Sequence, residues 1–361
     1  MSEVEGTKFK VLEVSGEAHD RGFQYGAICK KNLSQLVPIW YSIYQSFNIS
    51  KEQIMRDARK LFPFIEEYSP EIADEMKGTA EGAEVQLEEI VMITAFCEMF
   101  YPRAFSSSCT SFAVTKNASA DKRSYIGQTN DEAESLWMGG ESYVLVLFRR
   151  PSGPSVLTYT YAGVPVDLGI NSDGIGLCST AVTCEDIRLG VPRMILSREV
   201  LHQRTLTDAI GAVTRAKRAN SLHFLIAGGS GEICDIEGTP SQFDYFYFKD
   251  TLAHTNHFLS SKLAIKRDLA LETQPDTITR YLRMRELLET AQGAIDLQKL
   301  MEFTKDHVNY PDSICRHGDT RDPPDKRWRT FDSLIMVPEE REMWIARGNP
   351  CKSKYERYSF S

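Results

Sequence analysis

Between residues 105 and 109 the hydrophobic pattern of this chain changes period, and that change restricts the folds open to it more than any other feature. Ahead of it lies one alternating run, Lys8 to Val14, which reads as a strand. A helical stretch follows from about His19 to Phe47, where Leu36, Ile39, Trp40, Ile43 and Phe47 form an apolar stripe. Pro38 lies inside that stretch and predicts a kink or a break. Further helices are predicted near 51–67, 70–82 and 88–101, with Ser69-Pro70 offering an N-cap and a first-turn proline. Past residue 108 the period shortens. Runs at 109–115, 125–129, 142–149, 156–161, 166–170, 222–227, 232–237, 243–248, 333–337 and 342–347 have strand character, divided by Gly, Pro, Asn and Asp. Asn171-Ser172-Asp173-Gly174 reads as a hairpin turn. Helical spacing returns near 192–203, 206–217, 276–291 and 297–305. Helices before and between clusters of strands predict an α+β fold of stacked layers. The break at 105–109 divides a helical segment, 1–108, from a strand-rich segment, 109–361, and both are expected in one folded domain.

Composition narrows the function. The net charge is −8 and no Lys/Arg-rich run interrupts it, so no nucleic-acid partner is expected. No apolar stretch reaches the roughly 18 residues of a membrane span, and the opening MSEVEGTKFKVLEV lacks the pattern of a secretory leader. A cytoplasmic location without membrane association is therefore expected, and a homo-oligomer is left open. The eight cysteines show no repeated spacing and no C-x-x-C, so buried reduced thiols are the ordinary reading for most of them.

Cys109 is the exception. It follows the hydroxyl-rich turn Ser106-Ser107-Ser108 and opens an apolar strand. A thiol near pKa 8.5 needs a base to act at neutral pH, and no His-paired signature surrounds it. Cleavage between Ser108 and Cys109 would give the cysteine its own α-amine, whose pKa of roughly 7.7–8.0 suits a general base. Gly127-Gln128-Thr129-Asn130-Asp131 closes the next strand, with Asp131 able to orient groups beside Cys109 and Asn130 able to hold the loop. In His254-Thr255-Asn256-His257-Phe258, Asn256 is a candidate oxyanion donor. The His254/His257 pair has weak ligand spacing, so neither a metal nor a cofactor is expected. The segments Ser313-Ile314-Cys315-Arg316-His317 and Arg327-Trp328-Arg329-Thr330 place cations beside a strand, suited to a substrate carboxylate. Asp235 and Glu237 share a strand face, more as support for a core loop than as an acid pair, and Gly228-Gly229-Ser230-Gly231 is too short for a nucleotide fingerprint. Each cluster alone also fits a structural residue, a turn or a solvated loop.

Together and in this order, the clusters resemble the acyl-coenzyme A:6-aminopenicillanic-acid acyltransferase family, the C45 peptidases, over nearly the whole chain. Asp20-Arg21-Gly22-Phe23-Gln24-Tyr25-Gly26 and Glu75-Met76-Lys77-Gly78-Thr79-Ala80-Glu81-Gly82-Ala83 resemble its propeptide half. Cys109-Thr110-Ser111-Phe112 resembles the processed nucleophile segment, and the 127–131, 254–258 and 347–351 motifs follow in order. The resemblance implies a four-layer αββα sandwich of the N-terminal-nucleophile hydrolase type. It also implies self-cleavage into 1–108 and 109–361, with Cys109 as nucleophile, Asp131 as active-site carboxylate and Asn256 as oxyanion donor. Arg327 or Arg329, with Asn130, would bind substrate, a small-molecule amide or acyl-thioester. Ser108 stands where well-known members often carry Gly, and Glu132 replaces the usual aromatic, so penicillin chemistry is not carried over. Two rival readings are an unprocessed ligand-binding protein of the same fold and a metal hydrolase using His254 and His257.

Overall fold

The computed structural model describes residues 8–99, 108–265, 267–323 and 327–360. The serine turn at 106–107 and the end of the expected 88–101 helix fall outside these residues. Strand β1 (Val11–Ser15) leads into helices α1 (Ala18–Ser46), α2 (Lys51–Tyr68), α3 (Pro70–Ala83), α4 (Leu87–Thr94) and α5 (Phe96–Met99). Then come β2 (Ser108–Val114), β3 (Tyr125–Ala133), β4 (Tyr143–Arg149), β5 (Val156–Tyr161), β6 (Leu168–Asn171) and β7 (Gly176–Cys178). Helices α6 (Arg193–Leu201) and α7 (Leu206–Arg215) precede β8 (Leu222–Ala227), β9 (Ile233–Gly238), β10 (Phe243–Phe246) and β11 (Thr251–His254). The chain ends with α8 (Leu269–Thr273), α9 (Asp276–Thr290), α10 (Leu297–Phe303), β12 (Trp328–Val337), β13 (Glu342–Arg347) and β14 (Tyr355–Tyr358).

Two sheets form, ordered β1-β4-β5-β6-β7-β8-β9-β10 and β11-β2-β3-β12-β13-β14. All pairings are antiparallel except β1 with β4. The sheets meet face to face where β3 touches β7 and β8 and where β6 touches β13. Helices α1, α6 and α7 cover the outer face of the first sheet, and α9 and α10 that of the second. This is the expected αββα sandwich. Alternation along β2 shows the layering: Phe112 and Val114 join Met284, Leu288 and Leu300 under the helices, whereas Ala113 lies in the core with Leu145, Ile170 and Leu177 of the other sheet. Both faces of β2 are covered, so it carries small and apolar residues throughout and is buried end to end.

Pro38 does not break its helix. Helix α1 runs unbroken from Ala18 to Ser46, with Leu36, Val37 and Trp40 buried on both sides of the proline. Their burial outweighs the roughly 3 kcal/mol a helix-interior proline costs. Ser69 stands at the expected N-cap of α3, but its hydroxyl bonds Glu199 instead of the helix end. Asn171–Gly174 forms the expected turn, with Gly174 at φ +90° and the Asn171 side chain accepting from Asp173 and Ile175.

Residues 8–99 pack into the same core as the first sheet. Their first strand pairs with β4, and Leu33, Trp40, Ile54 and Ile90 share a core with the first sheet. The two N-terminal motifs are a helix crossing. On α1, Gly22 and Gly26 face the Glu75 and Thr79 carbonyls of α3, while Gly78 and Gly82 face those of His19 and Phe23. A Cβ at these four glycines would fall 1.9, 2.0, 2.1 and 2.0 Å from those oxygens, so only glycine permits this approach. Beside the crossing, Glu75 accepts from Arg21 (3.1 Å) and Arg198 (3.0 Å), all three buried, and Arg198 stacks on Phe148 of β4.

Candidate active site

Register across β2, β3 and β12 builds the site. Cys109 pairs with Asn130, which pairs with Asp332; Ser108 pairs with Asp131, which pairs with Thr330. A register shift between Thr330 and Asp332 lets both rows align across three strands. Successive residues point to opposite faces. The first row therefore faces the other sheet and the second faces α9.

Cys109 is fixed through its backbone as well as its sulfur. Its N–H donates to Asn256 Oδ1 (2.8 Å), and its carbonyl accepts from Arg280 Nη1 (2.5 Å). Arg280 Nη2 also donates to Asn256 Oδ1 (3.0 Å), so two obligate donors meet one atom and settle the orientation of the amide. Asn256 Nδ2 gives one of its two N–H groups to the Ala181 carbonyl (3.0 Å). The thiol lies 3.6 Å from Asn130 Oδ1, which also accepts from Gln128 Nε2 (2.6 Å), while Asn130 Nδ2 donates to Asp332 (2.8 Å). Gln128 is locked by reciprocal bonds to Ser179, whose hydroxyl accepts from Arg193. Asn130, expected to bind substrate, thus lies beside the Cys109 sulfur. Beyond it, Glu132, Asp167 and Asp332 are buried near one another, and burial raises all three carboxyls, Asp167 to about 6.

On the helix-facing side, Asp131 is fully buried. Its Oδ1 accepts from Thr330 (2.7 Å), and Oδ2 has no hydrogen-bond partner among the described residues. Burial pushes this carboxyl up to about 6 against the pull of Arg280 and Arg316. Because the folded state holds the proton more tightly than the unfolded chain, ionising Asp131 opposes folding as pH rises from about 4 through about 6. Asp131→Asn is therefore expected to gain stability relative to the parent over that interval, by at most about 3 kcal/mol, with no further gain above it. Urea midpoints of both proteins at the two ends of the interval check this; a pH-independent difference overturns it.

Arg327 and Arg329 are not the cations that hold Cys109. Arg327 bonds Glu134 and the Asp319 carbonyl, and Arg329 bonds Asn349 and lies over Trp137. The guanidiniums that bond Ser108 and Cys109 are Arg280, on the Cys109 carbonyl, and Arg316, on Ser108 Oγ (3.2 Å), and Asp276 accepts from both. Arg280 was missed because it lies in a helix dense with arginines. Its signal is positional: with Thr277, Met284 and Leu288 it occupies the buried stripe of α9. His254 and His257 face different partners, Glu237 (2.6 Å) and Thr277 (3.0 Å). Glu237 also accepts from the Leu259 and Ser260 N–H groups, the loop support expected of it, and Asp235 bonds His223, which stacks on His254. A surface cleft of about 690 Å³ lined by Asp121, Leu297, Met301 and Tyr355 does not include Cys109 and takes no part in the chemistry below.

The site thus lies in an αββα sandwich, with the Cys109 thiol at the head of an inner strand and directed between the sheets. The chain belongs to the acyl-coenzyme A:6-aminopenicillanic acid acyl-transferase family, whose model matches residues 118–352. It is 24% identical over 308 residues to the 40 kDa form of acyl-coenzyme A:6-aminopenicillanic-acid-acyltransferase of Emericella nidulans, covering 83% of each chain. Among solved structures it is similar to a mutant of conjugated bile acid hydrolase from Clostridium perfringens, at 15% identity and a TM-score of 0.46, over 70% of this chain and 97% of that one. It is also similar to penicillin V acylase from Agrobacterium tumefaciens, at 12% identity and a TM-score of 0.40, over 66% and 82%. Among the described residues no helix is long and apolar enough to cross a membrane.

Proposed function

We propose that this protein is a self-processing cysteine amidohydrolase or acyltransferase acting on a small-molecule amide or acyl-thioester through Cys109. The observation that carries this reading is the double anchoring of the Cys109 backbone, N–H on Asn256 and carbonyl on Arg280, with its thiol on Asn130. Buried backbone groups need partners in any strand, and here, past the end of the β11 ladder at Ser111, side chains supply them, so the Cys109 nitrogen can keep its acceptor after the peptide bond before it is cut.

In maturation the Cys109 sulfur attacks the Ser108 carbonyl carbon. The S–C bond forms, the C–N bond breaks, and the thiol proton goes to the departing nitrogen. Water then hydrolyses the thioester, leaving a Ser108 carboxylate, a free thiol and a free α-amine. Asn256 Oδ1 continues to accept from that amine, and Asp131, across the strand from Ser108, sets the local charge. In turnover the amine takes the thiol proton, the sulfur attacks the substrate carbonyl carbon, and the proton passes to the leaving amine. The second N–H of Asn256 Nδ2 suits the oxyanion, a contribution of about 3–4 kcal/mol in comparable sites. Water completes hydrolysis, or an amine completes acyl transfer.

The intact mass of purified protein tests the reading. Two fragments meeting at 108/109 are expected, and an activated amide should add its acyl mass to the 109–361 fragment alone. A full-length protein whose Cys109 resists acylation overturns it in favour of a binding protein that never matures.

A further inference from the structure

We propose that His307, Cys315, His317 and Cys351 bind a zinc ion that ties the 306–317 loop to the turn following β13. One ligand atom from each of the four lies within 4.8 Å of all the others. The Cys315 and Cys351 sulfurs stand 3.6 and 3.5 Å from His317 Nε2, and His307 Nε2 stands 3.0 Å from it. Ordinary Zn–S and Zn–N bonds, about 2.3 and 2.0–2.1 Å, give a tetrahedron whose S–N edges are about 3.6 Å. The sulfur–nitrogen separations thus match zinc coordination, and the nitrogen pair is within a few tenths of an ångström of its edge.

The donor set and its surroundings point the same way. Two thiolates and two imidazoles form a closed Cys₂His₂ set, which favours zinc over hard cations. Asn349 Nδ2 lies 3.6 Å from the Cys315 sulfur and donates to the Arg316 carbonyl (2.7 Å), the outer support that holds a ligating thiolate in place. Backbone bonds from Cys315 to Asp306 and from His317 to Pro311 brace the ligand loop. His307, Cys315 and His317 fall within one loop and Cys351 lies beyond β13, a spacing that matches no compact zinc motif. A reading confined to His254 and His257 passes them over.

The ion has work to do at this place. Arg316 lies between two of the ligands, and its guanidinium reaches Ser108 Oγ (3.2 Å) and Asp276 (3.4 Å). Fixing Cys315 and His317 fixes the cation that bonds the Ser108 hydroxyl, one residue before Cys109.

Elemental analysis of full-length protein purified without a metal-affinity step tests the site. About one zinc per chain is expected, falling at least ~10-fold in Cys351→Ser and in His307→Ala, each altering an exposed ligand. Cobalt exchanged into the Cys109→Ala protein should show a thiolate-to-cobalt charge-transfer band and the visible absorption of tetrahedral Co²⁺, both lost in Cys351→Ser. Protein that takes up no zinc on dialysis, variants that retain it, or a Cys315–Cys351 disulfide in peptide mass mapping each overturn the proposal. Slower appearance of the 109–361 fragment in Cys351→Ser is also expected. That effect rests on the proposed self-processing, whereas metal content does not, so the two readings fail separately.

Discussion

Cys109→Ala is expected to remain a single 361-residue chain with no measurable turnover. Two losses coincide in this variant. Without the sulfur nothing attacks the Ser108 carbonyl, so the chain is not cut. Without the cut there is no α-amine, so the base disappears with the nucleophile. Removing the nucleophile of a hydrolase that works as a unit costs about 10⁶ in kcat, and a comparable collapse is expected here. The fold should survive, because alanine keeps the backbone N–H on Asn256 and the carbonyl on Arg280. Cys109→Ser separates the two losses: its hydroxyl supports an N-to-O shift, so slow cleavage with little turnover is expected. Mass spectrometry beside an acyl-release assay reads both, and a cut or active Cys109→Ala protein sinks the mechanism.

Asn256→Ala carries the second largest expected effect, because one side chain serves two purposes. Its Oδ1 accepts from Cys109 and from Arg280, both buried, and leaving these donors without a partner costs about 1–3 kcal/mol of stability. Its remaining Nδ2 proton is the proposed oxyanion donor, whose loss lowers kcat by about 10²–10³. Asn256→Asp distinguishes the roles. It preserves the acceptor for Cys109 and Arg280 but gives up both amide donors, including the bond to the Ala181 carbonyl, so it should mature with some loss of stability yet turn over about as slowly as Asn256→Ala. If Asn256→Asp keeps full kcat, Asn256 is a positioning residue for Cys109 and the oxyanion donor lies elsewhere.

The layered fold was legible because period and punctuation carry it: helical spacing through the first segment, short β runs after Cys109, and a turn at Asn171–Gly174 that formed as read. What escaped was short or polar. Strand β7 spans three residues, β11 and β14 four each, and their places come from neighbours in the sheet instead of from any pattern of their own. At the site, Cys109, Asn130, Asp131 and Asn256 were legible because each falls in or just after a run of strand character, although β3 continues to Ala133, so Asn130 and Asp131 stand within the strand instead of closing it. Cations are harder. Arg327, Arg329 and Arg316 are equivalent as letters near a strand, and only the register shift at Thr330 and the course of the 306–317 loop decide which one reaches Ser108. Arg280 required knowing which face of α9 is buried.

The crossing of α1 and α3 on bare glycine backbone, together with the seat of β1 beside β4, bears on what a cut at residue 108 would produce. Before the cut, folding is unimolecular, and the peptide link keeps the two segments together at high effective concentration. After it, the same contacts join two separate polypeptides, and unfolding becomes a dissociation whose midpoint depends on protein concentration. The shorter piece cannot leave as an activation peptide does, because its departure would bare the β4 edge and the core around Leu33 and Trp40. Such an enzyme would have no easy way back: once unfolded, its halves must find each other in solution, and maturation would trade reversibility for activity.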